Sequence, residues 1–162
     1  MSLFSGPRFS EVEERGPLRV GDNGSLMNQA NGTYEITMAP RTPDEFGDPL
    51  IGRMSIDKRF LGDLDGTSKG EMLGARTATP GSAGYVAIEK VTGSLHGRGG
   101  TFVFQHTGTM TRGSLRLSVT VVPDSGTGEL AGLAGSLKIV NADGKHSYEF
   151  EYTLSEPHEQ RT

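Results

Sequence analysis

Two carboxylates, a tyrosine and a histidine carry the most readable chemistry in this chain. Tyr85, Ala87, Glu89 and Val91 fall at alternate positions of one segment, opposed by Val86, Ile88 and Lys90. Alternate residues of an extended strand share a face, so a tyrosine and a glutamate are set among small apolar side chains. A glutamate enclosed in an apolar cavity loses hydration, which raises its pKa toward the range of general acid–base work. Tyr85 would then donate a hydrogen bond to Glu89 or to a substrate oxygen. Glu71, in Lys69-Gly70-Glu71-Met72-Leu73, would supply a second carboxylate from the neighbouring strand. Paired carboxylates beside a histidine suit proton transfer on an apolar, oxygenated substrate, and Glu89, Glu71 and Tyr85 are the candidate catalytic residues. A plain structural reading stands beside this one: Glu89 pairs with Lys90, Arg98 or Arg76 at a rim or a subunit interface.

The candidate ligand-binding residues extend the same face pattern. Phe102, Phe104, His106 and Met110 share one face of the next segment, and His146, Tyr148, Phe150, Tyr152 and Leu154 share one face of the last. Tyr85, Glu89, Phe102, Phe104, His106, Tyr148 and Phe150 are therefore expected to line a lumen. Other chemistries find little support. The histidines are His96, His106, His146 and His158, with no His-x-His or His-x-x-x-His pair, and no metal or cofactor is expected. Gly126-Thr127-Gly128-Glu129-Leu130-Ala131 matches a nucleotide-binding turn in letters, but Gly132 and Gly135 interrupt the helix such a turn must open. It reads as a glycine-rich crossover. No Gly-x-Ser-x-Gly elbow occurs, and Asp57, Lys58 and Arg59 read as a solvated face.

The elements that must position these residues are strands. Gly accounts for 24 of the 162 residues, about double its usual share, and Pro for 8. Period-two alternation punctuated by glycine predicts strands over 33–39, 51–64, 70–78, 85–95, 101–111, 115–122, 137–141 and 146–154. Asp65-Gly66 is expected to turn the second into the third, Gly97-Arg98-Gly99-Gly100 the fourth into the fifth, and Arg112-Gly113 the fifth into the sixth. Ala142-Asp143-Gly144-Lys145 closes the last hairpin. No segment forms a convincing long amphipathic helix. The expected fold is all-β, an eight-stranded antiparallel up-and-down barrel, since closure removes exposed edges, with a β-sandwich as the alternative. An N-terminal arm or tail is expected over 1–28, one barrel domain over 29–155, and a C-terminal tail over 156–162.

Charge and composition exclude several partners. A net charge of −4 with no block of five like charges leaves no basic footprint for nucleic acid. The longest apolar runs, such as Val119-Thr120-Val121-Val122, are too short to span a bilayer as helices. The first 30 residues lack a secretory apolar core. With no cysteine, thiolate metal sites and cysteine nucleophiles are excluded. The expectation is a cytoplasmic protein with no nucleic-acid or membrane partner, assembling as a homo-oligomer.

Four blocks carry a family resemblance: Gly70-Glu71, Gly84 to Gly93 (Gly-Tyr-Val-Ala-Ile-Glu-Lys-Val-Thr-Gly), Gly100 to Thr109, and Val121 to Leu133. They resemble a bacterial domain-of-unknown-function family, the one numbered 3224, over about residues 30–154. That resemblance implies an allene oxide cyclase-like, lipocalin-like barrel, often oligomeric. It implies no activity, so no catalytic residues carry over. Three functions fit the expected fold: binding of a small apolar or amphipathic metabolite in the lumen, cyclase or isomerase chemistry there, and a filled barrel acting as an oligomeric structural module. Binding is the leading expectation.

Overall fold

Alternation of apolar and polar residues, cut by glycine-bearing turns, is realised as eight strands. The computed structural model describes residues 20, 24–41 and 47–155. These form β1 (Asn28–Pro40), β2 (Ile51–Gly62), β3 (Leu64–Arg76), β4 (Ala83–Leu95), β5 (Arg98–Thr111), β6 (Ser114–Val121), β7 (Leu133–Ala142) and β8 (Lys145–Leu154). Each pairs antiparallel with its sequence neighbours, and β8 returns to β1, closing an up-and-down barrel. The crossover between β6 and β7 holds a single 3₁₀ turn, Gly128–Leu130, and β7 starts at Leu133, earlier than its pattern indicates. No helix among the described residues is long and apolar enough to cross a membrane. Most of the N-terminal arm, and the tail from residue 156, lie outside the described residues.

Three hairpins turn on two residues with positive φ. They are His96-Gly97 (47° and 80°), Arg112-Gly113 (46° and 87°) and Asp143-Gly144 (52° and 72°). Both central residues left-handed is the signature of the turn whose twist matches that of the flanking strands. Leu95 therefore pairs with Arg98, and the reversal expected over 97–100 moves to His96-Gly97, leaving Arg98 to Gly100 within β5. The expected Asp65-Gly66 turn is likewise corrected. The chain reverses around Gly62, whose φ is 107°, while Gly66 lies inside β3. A Cβ at Gly66 would strike the Thr92 carbonyl and the Gly93 backbone. The glycine there permits close strand approach.

The core occupies the half of the barrel toward the β2–β3 and β4–β5 turns. Phe60, Leu64, Val91, Leu95, Phe102, Phe104, Tyr148 and Phe150 are buried there. Phe104 packs edge-on against both Phe102 and Phe150, at 4.9 and 5.3 Å between centroids. The Tyr148 hydroxyl knots this end together, accepting from the Leu64 N–H at 3.0 Å and facing the Leu61 and Leu64 carbonyls at 3.0 and 3.1 Å. Outside, Leu73, Val86 and Ile88 stand exposed on adjoining strands β3 and β4.

Candidate functional site

β4 is the strand whose inward face mixes polar with apolar residues, and closure of the barrel determines what it meets. Ala87, Glu89 and Val91 all point inward and are buried, whereas Val86 and Ile88 point out. Glu89 is fully buried, at 0% exposure. Lys58 of β2 reaches it over the intervening strand β3, with Nζ 2.8 Å from Oε2, and His106 of β5 places Nε2 3.3 Å from the same oxygen. The Lys58 ammonium also lies 5.2 Å from the Tyr34 ring centre and 5.7 Å from that of Phe60, so aromatic faces supplement its counter-charge.

Both contacts to Glu89 fall on Oε2 and are charge-assisted, favouring the carboxylate form. Glu89 Oε1 and the hydroxyl of Ser68 are buried with no hydrogen-bond or ion-pair partner among the described residues. Ser68 belongs to β3 and stands opposite Lys58 in register. Four consecutive strands thus contribute one polar side chain each to a band across the barrel: Lys58, Ser68, Glu89 and His106.

Charge in this band acts on its neighbours. Burial, the largest influence on Glu89, pushes its carboxyl up, but His106 and Lys58 oppose it and hold the pKa below its ordinary value. The sequence-based expectation of a raised pKa is therefore corrected. Desolvation operates as anticipated, yet two partners at Oε2 outweigh it. Burial first, then the negative charge of Glu89, push the Tyr34 phenol up to about 12. The Tyr85 phenol is raised for the same two reasons, in the same order.

An apolar cavity of about 510 Å³ opens at the other end of the barrel, lined by Met54, Met72, Gly74, Tyr85, Gly108 and Met110 among others. Gly108 leaves room for the Tyr85 ring, which lies where a Cβ on residue 108 would stand. On β3, β4 and β5 the cavity lining ends at Met72, Tyr85 and Gly108. The next inward positions are Gly70, Ala87 and His106, and the positions beyond Gly70 and Ala87 are Ser68 and Glu89. Only a glycine and an alanine separate the lining from the polar band on β3 and β4.

The structure brings Glu89 and His106 together, with Tyr85 above them, and separates the other candidates. Glu71 faces outward. It is half exposed, bound to Arg53 at 2.7 Å and near Arg41 at 3.7 Å, because β3 turns odd-numbered residues to the outside. It forms no carboxylate pair with Glu89. Phe102, Phe104, Tyr148 and Phe150 point inward as expected but belong to the packed half, away from the cavity lining. Lys58, read as part of a solvated face, is buried, and only Asp57 and Arg59 beside it face solvent. The signal was local: Lys58 sits two residues from Ile56 and from Phe60, the buried parity of β2. Tyr34 and Ser68 were also missed, Ser68 because its strand shows no clean alternation. His146 stacks on Tyr34 at 5.1 Å, and His96 Nδ1 meets the Tyr152 hydroxyl at 2.5 Å.

Comparison with known proteins agrees with this architecture. A family model described as protein of unknown function (DUF3224) matches residues 30–152. A crystal structure of a protein of unknown function from that family, from Shewanella oneidensis MR-1, superposes with a TM-score of 0.76 at 47% sequence identity. The alignment covers 80% of this chain and 98% of that one. No curated protein matches the chain.

Proposed function

The chain belongs to the DUF3224 family of proteins of unknown function, and from its own residues we propose that it binds a small apolar or amphipathic molecule in the open half of its barrel. One observation carries this reading: the apolar cavity of about 510 Å³ ends one or two inward positions short of a buried polar band in which Glu89 Oε1 and the Ser68 hydroxyl lack partners. Ligand sites are characteristically concave and apolar with a few placed polar groups, and span roughly 300–1,000 Å³. A filled structural barrel has no use for such a cavity. Cyclase or isomerase chemistry has less support, because Glu71 faces away and Glu89 is tied to Lys58 with its pKa lowered. A base working near neutral pH needs the opposite shift.

The test uses the neutral fluorescent probe N-phenyl-1-naphthylamine with the intact chain and with Gly52→Trp. A Cβ at Gly52 meets nothing within 4 Å, so an indole enters the mouth without backbone conflict. Saturable fluorescence enhancement in the intact chain, lost in Gly52→Trp, is expected. Equal signals from both, or none from either, would overturn the reading. Native mass spectrometry of protein from its own host then gives the mass of any resident molecule.

The outer face supports self-association as a second component. Val86 and Ile88 are each about half exposed, beside Leu73, and opposite charges Arg53 and Glu71 border them. A second copy presents the same mixture of apolar centre and mixed-sign rim, which two-fold pairing requires. Light scattering should report an oligomer that Ile88→Glu dissociates. A monomer at high concentration would refute it.

A further inference from the structure

Lys58 and Glu89 cancel each other's charge inside the barrel, and that cancellation has a consequence for what the cavity can hold. Their side chains are 5% and 0% exposed, with 2.8 Å between Nζ and Oε2. A ligand head group reaching this pair meets no net charge from it. It meets an acceptor at Glu89 Oε1 and a hydroxyl at Ser68, both buried without partners, beside the ring nitrogen of His106. A carboxylate head would be opposed by Glu89, an ammonium head by Lys58, and either would lose its hydration without a free counter-charge. An ether or a hydrocarbon would leave Glu89 Oε1 unanswered. A hydroxyl both donates to a carboxylate oxygen and accepts from Ser68 or Lys58.

Resting on the binding reading above, we propose that the lumen selects small apolar molecules with an uncharged, hydroxyl-bearing head over the matching acid or amine. Between the band and the cavity lining stand Ala87 on β4 and, on β3, Gly70, against which the Ile88 carbonyl and Glu89 pack closely. The neutrality is a balance of two charges, so removing either one should redirect the preference predictably. Glu89→Gln leaves the Lys58 cation without its counter-charge, and Lys58→Met leaves the Glu89 anion without its own.

The test is calorimetric titration of the intact chain with 1-octanol, octanoate and octylammonium at neutral pH. The alcohol is expected to bind about tenfold or more tightly than either ion, a difference of about 1.4 kcal/mol or more. In Glu89→Gln octanoate should gain most, and in Lys58→Met octylammonium should. Folding of each variant is checked by circular dichroism, and one folded variant suffices to decide. Octanoate binding the intact chain as tightly as octanol, or a folded variant with an unchanged order, overturns the selectivity while leaving the binding reading intact. Failure of all three ligands to bind the intact chain overturns both.

Discussion

Lys58 Nζ lies 2.8 Å from Glu89 Oε2, both side chains sealed from solvent, although thirty residues and two strand reversals separate them in the chain. Such a pair is a modest source of net stability, because each charge gives up its hydration to enter the barrel. Removing one partner is far more costly than never having had either. The pair also organises its surroundings: His106 approaches the same oxygen, and the two tyrosines nearest in charge, Tyr34 and Tyr85, are held protonated to higher pH.

Lys58→Met alone should destabilise the fold by about 3–5 kcal/mol, since Glu89 is then a buried anion without its cation. The double substitution Lys58→Met with Glu89→Leu should recover most of that loss. Urea denaturation of the single and double variants measures both values. Equal losses in the two would show that the pair's packing, and not its charge balance, matters.

Acid should weaken the protein through Glu89. Its folded pKa lies below its ordinary value of 4.5, so the unfolded chain takes up the proton first. Its contribution is fully present above the unfolded value and is lost as pH falls through the lower folded one. Stability of Glu89→Gln, measured by urea titration from pH 5 downward, should therefore fall less steeply than that of the parent. An identical slope would place the acid sensitivity elsewhere.

Alkali should find every phenol reluctant to ionise. Tyr34, Tyr85, Tyr148 and Tyr152 are all of the chain's tyrosines, and burial raises each above the ordinary 10, Tyr34 to about 12. Stability from Tyr34 is present below the unfolded pKa near 10 and is lost as pH rises through about 12. Absorbance at 295 nm should show no native tyrosinate step near pH 10, with all four groups titrating there once urea is added. A native step of even one tyrosine near pH 10 contradicts this arrangement.

Tyr148→Phe should cost about 1–3 kcal/mol, because the Leu64 N–H loses its acceptor inside the closed end. Probe binding at the opposite mouth should be unaffected. Thermal or urea unfolding together with the fluorescence titration separates the two effects. Lost binding with retained stability would return Tyr148 to the ligand site.

Gly108→Ala and Tyr85→Ala should be strongly non-additive. A methyl at residue 108 collides with the Tyr85 ring, a strain of about 1–3 kcal/mol that vanishes once the ring is gone. A double-mutant cycle on unfolding free energies gives the coupling. Simple additivity would mean that the ring moves aside freely.

Part of this molecule is local and was legible in the residue order. Eight strands follow from period-two alternation, and Arg112-Gly113 and Asp143-Gly144 turn where their residues tolerate positive φ. The apolar faces of β5 and β8 follow from Phe102 and Phe104 and from Phe150 and Tyr152, whereas β4, with Val86 and Ile88 opposite Ala87 and Val91, shows which residues share a face and not which face is inward. β3 is also an exception. With Met72 and Leu73 adjacent, its apolar residues favour neither face, and Glu71 was assigned inward when it faces out.

What the residue order alone determined was which side chains share a face within each clean strand, because pleating repeats every two residues without reference to the rest of the chain. Which cation meets Glu89 depended instead on register across β2 to β5 and on closure through β8. Those relations decided that Lys58 neutralises Glu89, that the pKa of Glu89 falls instead of rising, and that aromatic residues fill one half of the barrel while the other stays open. Pairing partners lie tens of residues apart and are chosen by total packing, and no pattern within a single strand encodes that choice.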